Sequence, residues 1–139
     1  MPDKVLPMRG KGGESEKITI NLGHVDLGRV DLLVQEGFYS NRTDFIRTAI
    51  RNQLGNHAEL VQQSLVRHTL ELGLRLYTRA DLEAAKVANE TLRIKVVGLA
   101  HIAADVTPDL ARATIASITV LGTLQASAAV KAALADRIH

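Results

Sequence analysis

The chain has no cysteine and no tryptophan among its 139 residues. Without thiols it can hold no disulfide framework, no thiolate metal site and no cysteine nucleophile, and it fits a reducing compartment. Two Phe and two Tyr are its only aromatic residues, so a core must be built from Leu, Ile, Val and Ala. No apolar run approaches the roughly 18 residues of a membrane-spanning helix. Residues 1–15 carry basic side chains without the apolar stretch of a secretory signal. The expectation is a cytoplasmic protein with no membrane partner. An excess of one charge is also lacking. The formal net charge is +2, and residues 1–54 hold eight Lys/Arg against seven Asp/Glu, 8 − 7 = +1. Any role on a polyanion must therefore rest on where the charges sit, not on a basic bulk.

Recognisable catalytic patterns are missing too. There is no supported Ser/His/Asp arrangement, no phosphate-binding glycine loop and no motif with paired carboxylates, so an enzyme is not expected. The five histidines (24, 57, 68, 101 and 139) show no converging ligand spacing. His57 and His68 share a helix face but lie about three turns apart, so neither a metal nor another cofactor is expected.

What is present is a globular composition, 46% hydrophobic and 23% charged, arranged in four regions. Residues 1–15 read as a flexible tail, 16–55 as a strand-helix-helix block, 56–68 as a helical connector and 69–139 as an Ala/Leu/Val-rich block. Lys17-Ile18-Thr19-Ile20-Asn21-Leu22 alternates polar and apolar with the period of a strand. Val25, Leu27, Val30, Leu33 and Val34 recur mostly at helical spacing up to a stop at Gly37. Asn41 suits the N-cap of a second helix, with Asp44 in its first turn and Phe45, Ile46, Ala49, Ile50 and Leu54 on its apolar face. Gly55-Asn56 either ends this helix or weakens it.

Residues 69–139 align with themselves at a period of 24 residues. The alignment sets Leu70/Ile94/Ile118, Leu72/Val96/Val120, Ala80/Ala104/Ala128 and Leu82/Val106/Val130 in register, and Gly98 falls on Gly122. Thr78, Thr107 and Ser127 stand as caps before helix-prone stretches, with Pro108 at a first helical position. The expectation is three strand-helix units, as a short α/β solenoid or a small parallel sheet backed by helices. Chance alignment of Ala-rich amphipathic sequence is the alternative.

A short strand followed by two helices cannot bury Ile18, Ile20 and Leu22 within one copy. Pairing the strand with that of a second copy gives an antiparallel ribbon over four helices. Ile18, Ile20, Leu22, Val30, Leu33, Phe45, Ile46 and Ile50 then form the dimer core. The other side of the ribbon presents Lys17, Thr19 and Asn21, and the major groove of double-stranded DNA admits such a ribbon. Lys can approach guanine, Thr an edge or a thymine methyl, and Asn can make two bonds to adenine. The start of the second helix, Ser40-Asn41-Arg42-Thr43, offers unpaired backbone N–H groups and hydroxyls to a DNA phosphate. The alternative for the polar alternation is the solvated face of an edge strand.

With its Gly37-Phe38-Tyr39-Ser40-Asn41-Arg42-Thr43-Asp44-Phe45-Ile46-Arg47 turn, the block resembles the ribbon-helix-helix superfamily, the CopG-like and nickel-regulator-like members above all. The resemblance implies Lys17, Thr19 and Asn21 as base readers and the helix start at Asn41 as phosphate anchor. Gly23-His24-Val25 departs from the family's usual acidic or Pro-containing helix start, and Phe38 is inserted before Tyr39. The expected whole is an α+β chain: a homodimeric DNA-binding repressor of bacterial type, with a higher oligomer formed through 69–139. An antitoxin of a toxin–antitoxin pair and a DNA-anchored scaffold or polymer-forming protein are the alternatives.

Overall fold

A computed structural model describes residues 15–139, which divide into a unit ending at Gln63 and a unit running from Ser64 to His139. The expected tail, with Lys4, Arg9 and Lys11, lies outside the described residues but for Ser15. The chain mixes helix and strand, an α+β composition.

In the first unit, residues 15–23 are neither helix nor strand. The strand expected at Lys17–Leu22 is therefore not formed in the single chain, because a ladder needs a partner and none is supplied. Helix α1 spans His24–Gln35 and starts at Gly23 without a side-chain cap. It ends where Gly37 adopts φ +87°. There Phe38 N–H donates to Leu33 O and Gly37 N–H to Val34 O, both at 3.0 Å, the paired bonds that close a helix through a left-handed residue. Helix α2 spans Arg42–Asn56 and α3 spans Ala58–His68. The break between them falls at His57 (φ −107°, ψ 14°), after two residues of weak helix propensity. The expected connector thus begins two residues late.

Val30 is the buried apolar residue of this unit. Leu33, Phe45 and Ile46 are half-buried, and Tyr39 meets the ring of Phe45 edge-on at 5.0 Å. Ile18, Ile20, Leu22 and Ile50 are exposed at 70%, 54%, 42% and 44%. A large share of the apolar surface in this unit has no cover within one copy.

The second unit builds a parallel three-stranded sheet in the order β1-β2-β3, with β1 at Glu71–Tyr77, β2 at Leu92–Ile102 and β3 at Ile115–Gln125. Helices α4 (Arg79–Val87), α5 (Pro108–Thr114) and α6 (Ala128–Ala133) follow the successive strands. Each begins at a hydroxyl cap: Thr78 accepts from Asp81 N–H, Thr107 from Leu110 N–H, and Ser127 from Val130 N–H. Asp81 returns a bond from Thr78 N–H, completing a reciprocal box. Leu82, Leu110, Ala111, Val130 and Leu134 cover one face of the sheet, against Ile94, Val96, Ala100, Ile102 and Ile118. Full burial of each large side chain contributes about 1.5–3 kcal/mol. The buried Thr114 hydroxyl donates to Leu110 O at 2.8 Å.

The period of 24 holds between β2 and β3, where Ile94, Val96 and Gly98 face Ile118, Val120 and Gly122. Between β1 and β2 the offset is 25, so Leu72 faces Val97 and Gly73 faces Gly98. The expected match of Leu72 with Val96 is corrected by one residue. Such a slip sends every side chain of β1 to the other face. Leu72, Leu74 and Leu76 accordingly lie exposed at 66%, 64% and 56%, and Gly73, Gly98 and Gly122 form a row across the sheet.

Thr69 ends α3 at φ +54°, with Leu70 N–H donating to Leu65 O. A β-branched residue in this region costs about 1–2 kcal/mol. Thr69→Gly is expected to raise stability by about 1 kcal/mol, read as a higher urea midpoint at unchanged slope. A lower midpoint would show that Thr69 makes a compensating contact.

Candidate nucleic-acid interface

The site is assembled from the segment 17–22 and from the turn joining α1 to α2. Lys17, Thr19 and Asn21 are all exposed. In extended backbone they share one side, and Ile18, Ile20 and Leu22 share the other.

Asn41 is the N-cap of α2, its side chain accepting from Asp44 N–H at 2.8 Å. Asp44 in turn accepts from Ser40 N–H at 2.9 Å. Phe45 N–H bonds Asn41 O. This leaves the N–H groups of Arg42 and Thr43 and the hydroxyls of Ser40 and Thr43 without a partner among the described residues. Those donors point to where a phosphate oxygen could sit, reinforced by the positive end of the helix. The Asp44 carboxylate tempers that attraction, so it depends on oriented N–H groups more than on net charge.

Arg42, expected as a phosphate ligand, pairs with α1 in the single chain. Its Nε and Nη2 donate to the two carboxylate oxygens of Asp31 at 2.7 and 2.8 Å. The contact ties the first residue of α2 to α1 and so positions the helix start. Neither Arg47 nor Arg51 has a partner among the described residues, and both are exposed on α2. Spacing within the turn could not reveal the Asp31 contact, because the two residues are eleven positions apart.

The hydrogen-bonded Arg42 guanidinium holds the Asp31 carboxyl below its ordinary value. The folded-state value is thus depressed, so the contribution of the pair is present above about pH 4 and lost as pH falls through the lowered value. Asp31→Asn is expected to lower the melting temperature at pH 7, with the difference from the parent shrinking as the pH falls below about 4. A difference constant across that range would exclude this ion pair as the cause.

Among the described residues no three His, Asp or Glu side chains could hold a metal ion together, and no helix is long and apolar enough to cross a membrane. No curated protein and no solved structure shows significant similarity to the chain. A family model does match: the ribbon-helix-helix transcriptional regulator family, over residues 13–131. That span includes the segment 17–22, the two-helix turn and most of the strand-helix block, and the chain belongs to the ribbon-helix-helix transcriptional regulator family.

Proposed function

We propose that the chain is a sequence-specific DNA-binding repressor that works as a homodimer in the cytoplasm. Two copies pair residues 17–22 antiparallel, and the resulting ribbon enters the major groove. Lys17, Thr19 and Asn21 read base edges, and the helix start at Ser40, Asn41 and Thr43 anchors a phosphate on each side. Arg42 orients that anchor through Asp31. The ribbon buries Ile18, Ile20 and Leu22 over Val30, Leu33, Phe45, Ile46 and Ile50.

One observation carries this reading. The segment 17–22 has an exposed apolar side and an exposed polar side and no ladder of its own, directly ahead of two helices with uncovered apolar surface. A second copy satisfies all of these together. Assembly beyond the dimer is assigned to residues 69–139, whose packed core favours such a role over a toxin-neutralising tail that stays disordered when free.

Selection of bound DNA from a random pool, followed by shift assays across salt concentrations, tests the reading. A recurring short site is expected, with log affinity falling linearly with log salt by about 0.9 per phosphate contact. Equal binding to all sequences would remove the base-reading role.

A further inference from the structure

Strand β1 lies at the edge of the sheet, paired on one side to β2. All its residues but Tyr77 are exposed. An edge like this is a template for another strand unless something guards it. On the uncovered face it carries only Leu72, Leu74 and Leu76. On the helix-covered face it carries Glu71, Gly73, Arg75 and the half-buried Tyr77, with Arg75 3.3 Å from Glu71.

These charges decide which strand can join. Extending the repeat head to tail would set the β3 edge of another copy against β1. Glu71 and Arg75 would then meet Val120 and Leu124, burying charge against apolar side chains. Ile138 moreover bridges Ile118, and His139 N–H donates to Ile118 O at 2.8 Å, so the start of the β3 edge is already in use.

A second β1 fits instead. We infer that β1 is a self-pairing edge: two copies join β1 to β1 antiparallel about a two-fold axis through Leu74, merging two three-stranded sheets into one. This register pairs the whole seven-residue strand. It sets Leu74 opposite the partner's Leu74 and Leu72 opposite the partner's Leu76. On the other face Arg75 lies opposite the partner's Gly73 and diagonal to the partner's Glu71, so opposite charges meet and the glycine leaves room for the guanidinium. Centring the axis on Arg75 would set like charges face to face. The contact is isologous, so by itself it joins two copies and no more. It deepens the assignment of assembly to residues 69–139 and rests on that assignment, not on the ribbon.

The absence of cysteine makes the test direct. In the full-length protein, Leu74→Cys is expected to convert most of the chain to a reducible covalent dimer on mild oxidation, since directly opposite residues lie within disulfide reach. Leu72→Cys and Leu76→Cys should each remain uncrosslinked, whereas the double variant should crosslink. Val87→Cys, 89% exposed on α4, controls for mere proximity in a dimer. Crosslinking of Leu72→Cys or Val87→Cys as readily as Leu74→Cys overturns the pairing, as does a monomeric Leu74→Cys with native circular dichroism. Should Leu74→Cys misfold, the double variant against its two singles decides. A parallel shift assay on the oxidised and reduced protein separates the two readings. Crosslinking without specific DNA binding would sink the ribbon reading alone, and DNA binding without crosslinking would sink the β1 edge alone.

Discussion

Gly98→Ala is expected to destabilise the strand-helix unit by about 3–5 kcal/mol. Gly98 sits at φ +138° in the middle strand, a conformation that side chains with a Cβ rarely adopt. A Cβ there would collide with the carbonyl of Gly73 on β1. Backbone cannot swing aside as a flexible side chain can, so the collision has to separate β1 from β2 or break the register. Typical domains are stable by only about 5–15 kcal/mol, and the variant should melt far below the parent, with the transition of residues 64–139 lost first. Gly73→Ala is the internal control. It shares the positive φ, at +129°, but meets no atom of its own copy, so within one copy it should cost about 1–2 kcal/mol from conformation alone. Equal losses from the two substitutions would show that φ, and not the close approach between strands, makes the glycine row necessary. Calorimetry of the three proteins decides between these outcomes.

Asn21→Ala should weaken binding to the selected site by about 1–3 kcal/mol, five- to 150-fold, without altering dimer mass or the salt slope. A bidentate amide contact is lost while the apolar side of the ribbon stays intact. Thr19→Ala should act in the same direction by a smaller amount. Ile20→Ala, one residue away on the other side, should act on pairing instead of reading. Truncating a core residue in each copy costs about 2–5 kcal/mol per site, and here that loss falls on association. Dimers should dissociate at concentrations where the parent stays paired, and specific and non-specific binding should weaken together. Sedimentation and shift assays on the two variants separate reading from pairing. Unchanged site affinity in Asn21→Ala would take the ribbon out of base recognition, and an unaltered dimer in Ile20→Ala would take it out of the interface.

Local chemistry was the legible part of this chain. Asn41, Thr78, Thr107 and Ser127 cap helices in the structure, because a cap bonds a backbone N–H three residues ahead and involves nothing distant. Gly37 closes α1 for the same reason. The match between Gly98 and Gly122 was visible as a period because β2 and β3 pair at that offset. Gly73 escaped notice, since the extra residue between β1 and β2 shifts it out of the 24-residue alignment. The pairing of Arg42 with Asp31 was not legible either: its sequence neighbours suggest a phosphate, while Asp31 lies on the preceding helix.

The sequence by itself determined the helices, their caps, the alternation in 17–22 and the family they indicate, all set by interactions within a few residues. Only the tertiary structure decided the one-residue slip of β1, the glycine row, the exposed leucines and the Arg42–Asp31 contact. Each of these depends on which distant backbone or side chain comes alongside. A single residue in a connecting turn moves that choice, and with strands of period two it exchanges one face of the sheet for the other.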